Sequence, residues 1–322
     1  MRVAKAGVVG AGTMGASIAE VLAYNGIEVV LKDVDAALVQ RGLGRVRAIV
    51  DELVRYQAER APREIERIAA LAGELSDTQR ARIAQQLAPK FSRERADQVV
   101  GRVHGVTDYD AFGDVDLVIE AVFERTEVKR PVLEALDAKI PDYAVLATNT
   151  SSLSVTELAR SLGHVRQTLA MHFFNPPYTL PLVEVAGGID TREDVVTDAI
   201  EFLGGLKNHR YPLVPIRVKE SPAFVVNRVL APVLAEASAA LAEGLASSRD
   251  IDAAMKAGAG MPMGPFELAD LVGLDVSLEV AETLYREFGD PKYKPSVLLR
   301  QLVAAGHLGR KTGRGFYEYT DS

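Results

Sequence analysis

The chain has 322 residues, of which 48% are hydrophobic and 25% charged, a composition typical of a globular protein of about two domains. Its 37 basic and 44 acidic residues leave a net charge of −7, which argues against a nucleic-acid or anionic-membrane partner. The absence of cysteine excludes disulfides, thiolate metal ligands and a cysteine nucleophile. No uncharged apolar run reaches the roughly 18 residues of a transmembrane helix, so we expect a soluble, cytoplasmic protein without a metal.

The first part of the chain alternates short apolar segments with helix-like segments, a pattern typical of a parallel α/β sheet. The first predicted helix covers 13–25 and ends at Gly26. Strands are predicted at 6–9, 28–32, 116–121, 144–148 and 167–173.

Residues 51–104 are charged and have a helical pattern, which predicts a helical insertion in the first domain. Pro62 suits a first helical position, and Gly73 suits the end of that helix. Ser76 and Gln79 form a capping-box pattern at the next helix, and Ser92 suits the cap of another. Strand signals then fade after 207–222, and 223–305 has helical Ala/Leu periodicity. We therefore predict a first domain of 1–218 and an all-α second domain of 219–322.

The segment GVVGAGTMGASIA (7–19) carries a G-x-G-x-x-G pattern between the first predicted strand and helix. Its first glycine would permit a tight turn, its second the approach of a pyrophosphate, and its third close helix–strand packing. Asp33, eighteen residues after the third glycine, would accept hydrogen bonds from adenosine ribose hydroxyls. This context predicts a Rossmann-type domain that binds NAD rather than NADP, although a glycine-rich turn of another α/β protein is the alternative. The predicted binding loop consists of Gly10, Ala11, Gly12, Thr13, Met14 and Gly15.

The segment MHFFNPPYTLPLVEV (171–185) contains a histidine and a glutamate twelve residues apart, with no other charge between them. Buried ionisable groups are costly unless they are paired. Pro176 and Pro177 exclude a helix here, but two extended segments joined through 175–180 could bring His172 and Glu184 side by side. Glu184 would then orient the imidazole, and His172 would act as a general base. The alternative is that His172 is an ordinary core histidine.

Eight segments together make the chain resemble the L-3-hydroxyacyl-CoA dehydrogenases, and within them the 3-hydroxybutyryl-CoA dehydrogenases. They are GAGTMG (10–15), DLVIEAVFE (116–124), NTSSL (149–153), MHFFNP (171–176), PLVEV (181–185), FVVNR (224–228), PMGPFELAD (262–270) with GLD (273–275), and GRKTGRGFYEY (309–319). The resemblance implies reversible NAD-dependent oxidation of L-3-hydroxyacyl-CoA to 3-oxoacyl-CoA, with short acyl chains favoured. It also implies a homodimer formed through the second domain, and a role in fatty-acid β-oxidation and butanoate metabolism.

The resemblance assigns roles to particular residues. His172 matches the general base and Glu184 its orienting partner, while Ser151 and Asn227 match residues that hydrogen-bond the substrate oxygen. Cofactor contacts are implied for Glu124, Lys129, Asn149, Asn175 and Lys311. The alternative for these residues is ordinary structure, with Ser151 and Asn227 as helix caps and the two lysines as solvated charges.

Two departures from the family pattern carry expectations of their own. Alanine stands at position 223 where glycine is usual, so we expect a backbone there that does not require positive φ. The segment NPPYTLPLVE resembles the branch that includes gulonate 3-dehydrogenase and lambda-crystallin. This resemblance leaves two alternatives open. The protein could be a dehydrogenase of a free hydroxyacid such as L-gulonate, or a non-catalytic NAD-binding or structural protein.

The helical insertion carries basic residues that are candidates for binding the phosphates of CoA. They are Arg41, Arg45 and Arg55. A solvated or dimer-facing helical hairpin is the alternative.

Overall fold

The computed structural model describes residues 1–319. Their contacts divide the chain into two units, the first made of Met1–Thr150 with Val155–Lys219, and the second of Ser151–Ser154 with the residues from Glu220 onward. The sequence pattern did not indicate that Ser151–Ser154 group with the second unit, because no composition change marks these four residues.

An eight-stranded sheet forms the centre of the first unit within residues 1–319. Its strands are β1 (Lys5–Val9), β2 (Glu28–Lys32), β3 (Val103–Val106), β4 (Leu117–Glu120), β5 (Val145–Thr148), β6 (Thr168–Phe173), β7 (Leu182–Gly187) and β8 (Val214–Arg217). They lie in the order β3-β2-β1-β4-β5-β6-β7-β8, and all neighbours are parallel except β6 and β7. The central strands are buried on both faces, as expected for apolar runs covered by helices.

Most helices of the first unit cover this sheet, and those of the second unit form an all-α body. The first set is α1 (Thr13–Tyr24), α2 (Ala36–Ala72), α3 (Asp77–Gln86), α4 (Arg93–Gly101), α5 (Thr126–Asp137), α6 (Val155–Ala159) and α7 (Glu193–Gly204). The second set is α8 (Val226–Ala242), α9 (Ser248–Ala259), α10 (Pro265–Val272), α11 (Leu274–Phe288) and α12 (Val297–Ala304). The predicted fold class, a Rossmann-type α/β domain followed by an all-α domain, is confirmed.

The predicted helical insertion begins earlier than expected, because α2 is one continuous helix that starts at Ala36. The prediction that Pro62 begins a helix is wrong, since it lies inside α2. Proline leaves the carbonyl of Ala58 without its helical donor, but Ala58 is exposed and water can replace that hydrogen bond. The other boundary predictions here are confirmed: Gly73 ends α2, and Ser76 forms the capping box of α3. Although α2 is long, none of the helices within 1–319 has the length and apolarity to cross a bilayer.

The carboxyl-terminal segment GRKTGRGFYEY is ordered by two buried aspartates of the second unit. Asp252 accepts hydrogen bonds from the backbone N–H of Phe266 at 2.9 Å and from the Tyr317 hydroxyl at 2.6 Å. Asp270 accepts from the backbone N–H of Tyr317 at 3.0 Å and from the Tyr319 hydroxyl at 3.0 Å. This segment is held in place because it supplies donors that make burial of both carboxylates tolerable.

The backbone at Ala223 contradicts the expectation drawn from its side chain. Ala223 has φ 61° and Phe224 has φ 46°, so both lie in the left-handed region that favours glycine. For alanine this conformation costs roughly 1 kcal/mol relative to glycine. The methyl group of Ala223 is fully buried against Leu284 and Tyr293, and burying one methyl contributes about 0.8 kcal/mol. Packing thus offsets most of the backbone cost.

The raised pKa values of Tyr317 and Tyr319 predict that the protein loses stability at alkaline pH. Burial, followed by the hydrogen bond to Asp270, raises the pKa of Tyr319 to about 12, and burial also raises the pKa of Tyr317. The folded chain therefore holds these protons more tightly than the unfolded chain, whose tyrosines ionise near about pH 10. Their contribution is complete below pH ~10 and is lost as the pH rises toward ~12. We expect the free energy of unfolding, measured by urea titration and circular dichroism, to fall across that window.

Substitution separates this contribution from general alkaline damage. Tyr319→Phe should lower stability by roughly 1 kcal/mol at pH 8 and flatten the alkaline decline. Tyr143→Phe, at an exposed position of the first unit, should leave the curve unchanged. An alkaline decline equally steep in Tyr319→Phe and in the unsubstituted protein would contradict the assignment.

Candidate active site

The predicted binding loop, residues 10–15, is called the fingerprint loop. Its three glycines have three different surroundings. Gly10 has φ 101°, and a Cβ there would lie 2.6 Å from the carbonyl oxygen of Ala121. A Cβ at Gly15 would lie only 1.7 Å from the carbonyl oxygen of Gly10, so α1 packs directly on the turn. A Cβ at Gly12 would meet no atom of the chain within 4 Å. The first and third glycines are therefore required by the fold, whereas the second borders open space that a ligand can approach.

The amino terminus of α1 is suited to an anion. Its N-cap is Gly12, which offers no side-chain cap, and its first turn contains no acidic residue. The first-turn N–H groups and the positive end of the helix dipole are therefore available to a phosphate. Open space at Gly12 and an uncapped helix terminus together fit the pyrophosphate of a dinucleotide.

Asp33 lies beside this loop at the end of β2. One carboxylate oxygen accepts a hydrogen bond from the backbone N–H of Ala11 and the other from that of Val34, both at 2.7 Å. Each oxygen can accept a further bond, so the arrangement is compatible with the predicted ribose contact. Lys32, which could have indicated NADP, is buried with its ammonium 4.2 Å from the ring centroid of Tyr109.

Of the three arginines considered for CoA phosphates, one contacts the fingerprint loop. Arg45 donates from its guanidinium to the carbonyl oxygen of Ala11 at 3.1 Å. Its side chain therefore supports the dinucleotide loop, and the proposed role for Arg41 and Arg55 stays a prediction.

His172 and Glu184 face each other across the only antiparallel pair of the sheet within residues 1–319. They are register partners on β6 and β7, and the imidazole Nδ1 lies 2.8 Å from a carboxylate oxygen of Glu184. His172 is 6% exposed and Glu184 is fully buried. The ring of Phe174 lies 4.6 Å from the imidazole, centroid to centroid. The two segments meet as extended strands joined through a bend that contains the cis Asn175–Pro176 peptide.

A buried ionic cluster that the sequence analysis missed lies at the end of β4. Glu120 is fully buried and accepts hydrogen bonds from Lys129 at 2.8 Å and from the Thr148 hydroxyl at 2.6 Å. The Lys129 ammonium also lies 3.3 Å from a carboxylate oxygen of Glu124. Lys129 is only 1% exposed, so the alternative that it is a solvated charge is wrong. A glutamate inside the apolar run DLVIEAV was the signal that could have identified this cluster.

Asn149 connects the end of β5 to the residue that follows His172. Its side-chain carbonyl accepts a hydrogen bond from the backbone N–H of Phe173 at 2.9 Å, and its own backbone N–H donates to the backbone carbonyl of Glu120 at 2.7 Å. Asn149 therefore has a structural role. Its predicted contact with the cofactor stays a prediction. Asn175 is exposed in the bend that follows β6.

The remaining predicted site residues belong to the second unit. Asn227 lies in the first turn of α8, whose N-cap is Val225. The alternative that Asn227 caps a helix is therefore wrong. It lines an apolar groove of about 580 Å³, counting its opening to solvent. Lys311 pairs with both carboxylate oxygens of Asp275 at 2.6 Å. Ser151 is partly buried within the segment Ser151–Ser154.

A mostly parallel sheet with a glycine-rich loop opening its first helix is the arrangement of dinucleotide-binding α/β domains. The chain belongs to the 3-hydroxyacyl-CoA dehydrogenase family. Residues 5–221 match the family's NAD-binding domain, and residues 224–319 match its C-terminal domain. The cofactor of this family domain is NAD, as the fingerprint loop and Asp33 predicted.

Several relatives align with nearly the whole chain. A probable 3-hydroxybutyryl-CoA dehydrogenase of Deinococcus radiodurans is 38% identical over 98% of this chain and all of its own. A 3-hydroxybutyryl-CoA dehydrogenase of Clostridioides difficile is 37% identical over 98% of this chain and 99% of its own. The crystal structure of (S)-3-hydroxybutyryl-CoA dehydrogenase from Ralstonia eutropha, 37% identical, superposes with a TM-score of 0.81 over 99% of this chain and all of that one. These matches support an NAD-dependent oxidoreductase.

Two glycine substitutions should separate folding from cofactor binding. Gly12→Val places its side chain in open space, so stability should fall by no more than about 1 kcal/mol, the cost of a valine at a helix N-cap. The same side chain occupies the approach to the helix terminus, so NADH affinity should fall at least about tenfold, which is ~1.4 kcal/mol. Gly15→Ala forces a Cβ onto the Gly10 carbonyl and should destabilise the fold by roughly 3 kcal/mol or more.

Thermal unfolding and NADH fluorescence titration measure the two effects. A Gly12→Val protein that binds NADH as tightly as the unsubstituted protein would show that the cofactor does not approach this loop.

Proposed function

We propose that this protein catalyses the reversible NAD-dependent oxidation of short-chain L-3-hydroxyacyl-CoA, such as 3-hydroxybutyryl-CoA, to 3-oxoacyl-CoA. The observation that carries the proposal is the buried hydrogen bond between His172 and Glu184. The substrate class is supported by the names of the relatives from Deinococcus radiodurans, Clostridioides difficile and Ralstonia eutropha.

The proton-transfer step follows from the geometry of this pair. The carboxylate of Glu184 accepts a hydrogen bond from Nδ1 of His172, so Nδ1 carries the proton of the neutral imidazole. The basic lone pair of this tautomer is on Nε2. In the oxidation direction Nε2 takes the hydroxyl proton of the substrate, and Glu184 stabilises the imidazolium that forms. In the reduction direction the same imidazolium returns the proton to the carbonyl oxygen. Such general acid–base help is worth roughly 10²–10⁴-fold in rate.

Other residues of the chain hold and orient the reactants in this proposal. The loop from Gly10 to Gly15 and Asp33 hold the NAD pyrophosphate and adenosine ribose, and bound NAD supplies the hydride acceptor. Glu124, fixed by Lys129, accepts hydrogen bonds from the nicotinamide ribose. Asn149, Asn175 and Lys311 are the further cofactor contacts, supported by family resemblance alone.

Polarisation of the substrate oxygen is assigned to Ser151 and Asn227, again by resemblance to the family. The alkoxide-like oxygen develops negative charge as its proton leaves, and hydroxyl and amide donors stabilise that charge. We also propose a cytoplasmic homodimer in fatty-acid and butanoate metabolism. Exposed apolar side chains of the second unit, which include Val229, Leu271 and Val272, are compatible with a subunit interface.

A free hydroxyacid such as L-gulonate is the second candidate substrate, favoured by the segment NPPYTLPLVE. Proline at 177 and tyrosine at 178 pack at the bend between β6 and β7, with Pro177 buried and Tyr178 partly buried. A non-catalytic or structural protein of the lambda-crystallin kind is the third candidate.

One spectrophotometric assay separates the three candidates. Purified protein with NADH and acetoacetyl-CoA should consume NADH, seen as loss of its absorbance band. Oxidation of gulonate or free 3-hydroxybutyrate by NAD, seen as a gain of the same band, without activity on acetoacetyl-CoA would select the second candidate. Measurable NADH binding without turnover of any of these substrates would select the third.

Replacing the general base should remove chemistry and spare cofactor binding. His172→Ala should lower kcat by roughly 10²–10⁴-fold, because the hydroxyl proton loses its acceptor. NADH affinity should stay within about twofold, since the fingerprint loop is unchanged. His104→Ala is the matched control, because His104 pairs with Glu28 at 3.2 Å on the exposed surface of the same unit. Full activity in His172→Ala, measured by NADH consumption, would refute the proposed base.

A further inference from the structure

The first unit contains a second buried histidine–glutamate pair, to which the proposed reaction assigns no role. Glu20 of α1 is fully buried, and one of its oxygens lies 2.8 Å from Nε2 of His209. Its other oxygen has no hydrogen-bond partner within the described part of the chain. An incompletely satisfied buried carboxylate is costly, so its single hydrogen bond to His209 invites a specific explanation.

His209 lies in the loop 205–213, which connects α7 to β8 and is attached to α1. Lys207 and Asn25 exchange two hydrogen bonds: the Asn25 amide donates to the Lys207 carbonyl at 2.8 Å, and the Lys207 backbone N–H donates back at 3.1 Å. With the Glu20–His209 contact, the loop is bound to two positions near the end of the helix. Ile18 and Leu22 of the same helix are fully buried in the core, so α1 is a fixed support.

The same loop holds the bend 174–181 that joins β6 to β7. The backbone N–H of His209 donates to the Tyr178 carbonyl at 3.1 Å, and the Asn208 amide donates to the Pro177 carbonyl at 3.3 Å. Asn208 is itself oriented, because its side-chain oxygen accepts the backbone N–H groups of Arg210 and Tyr211 at 2.9 and 2.8 Å. The bend therefore rests on a loop that is tied to α1.

The imidazole of His209 connects the two sides directly. Its centroid lies 5.1 Å from the ring of Tyr24, at the end of α1, and 5.5 Å from the ring of Tyr178, in the bend. The ring thus contacts the helix and the bend at once, while its Nε2 contacts Glu20. Stacking alone could be provided by phenylalanine, whereas the hydrogen bond to the buried carboxylate requires a side chain that donates.

We propose that His209 is a positioning residue for His172. Through its hydrogen bond to Glu20, it ties the bend 174–181 to α1 and fixes the end of β6, which carries His172, relative to the helix that opens with the dinucleotide loop. The catalytic consequence rests on the proposed function, because it requires His172 to be the base. Misplacement of a reacting group by about 1 Å can cost on the order of 10²-fold in rate, so a small relaxation of the bend has a measurable effect.

Two substitutions of His209 test the hydrogen bond separately from the ring. His209→Phe keeps an aromatic ring between the two tyrosines and removes the donor to Glu20. It should lower kcat roughly tenfold or more, with the KM for NADH within about twofold of the unsubstituted protein. His209→Gln restores an N–H donor near the position of Nε2 and should recover most of kcat. His104→Phe, on the exposed surface, is the matched control and should leave kcat unchanged.

A double substitution distinguishes positioning from general stabilisation. Glu20→Leu combined with His209→Phe removes both polar partners, so the free energy of unfolding should return toward that of the unsubstituted protein. The hydrogen bond from the His209 position to α1 is still lost, although Lys207 still holds the loop to Asn25, and kcat should stay low. Recovery of kcat together with stability would overturn the inference, because it would show that the pair acts only on stability.

Hydrogen exchange of the bend gives a readout that does not depend on turnover. In the NADH-bound full-length protein, the amides of 172–181 should exchange faster in His209→Phe than in the unsubstituted protein or in His104→Phe. Unchanged exchange there would overturn the inference even if the enzyme is active. An unsubstituted protein that turns over no hydroxyacyl-CoA would instead refute the proposed function, while the exchange measurement still decides whether His209 holds the bend.

Discussion

The cost of burying charge is the constraint on which the site depends. A carboxylate as deeply buried as Glu184 persists in a sheet only if a donor reaches it, and the register of β6 against β7 brings the imidazole of His172 to 2.8 Å. A shift of one strand by one residue would turn its side chain to the opposite face of the sheet, so His172 and Glu184 would no longer meet. The antiparallel pairing therefore joins two residues twelve positions apart into the hydrogen-bonded pair to which we assign proton transfer.

The same constraint organises the neighbouring strand ends. Glu120 at the end of β4 is stabilised by Lys129, and Thr148 at the end of β5 donates to the same carboxylate. Asn149 then carries the connection to Phe173 on β6. These groups lie at the carboxyl ends of parallel strands, where α/β sheets bind their ligands. Fixed polar groups at that edge hold the candidate base without relying on loop order.

Features that depend on neighbouring residues could be predicted from the sequence, whereas contacts between distant residues could not. The strand–loop–helix unit around Gly10 and the cap at Ser76 depend on neighbouring residues, and both could be identified directly. The edge strands β3 and β8 escaped detection because they are short and carry exposed polar residues or proline. The contact between His209 and Glu20 could not be predicted, since the two residues lie 189 positions apart and only the folded chain brings them together.

The first unit also contains a third pairing of a buried histidine with an acid, and comparing the pairs separates structural from catalytic candidates. His164 uses one ring nitrogen on Asp137 at 2.7 Å and the other on the Pro141 carbonyl at 2.9 Å, so it has no basic atom left for a substrate. Burial would raise the pKa of Asp137, but hydrogen bonds from Gly163 and His164 outweigh it and lower that pKa, as expected for a fixed structural anion.

His209 is enclosed between two tyrosine rings, in the loop that precedes β8. His172 differs from both because it lies near the carboxyl end of β6, beside β5 and its Asn149. A histidine–carboxylate hydrogen bond is therefore insufficient to identify a base in this fold. Its place along the sheet is the deciding property, because only the carboxyl ends of the strands face the position where a parallel α/β sheet holds its cofactor.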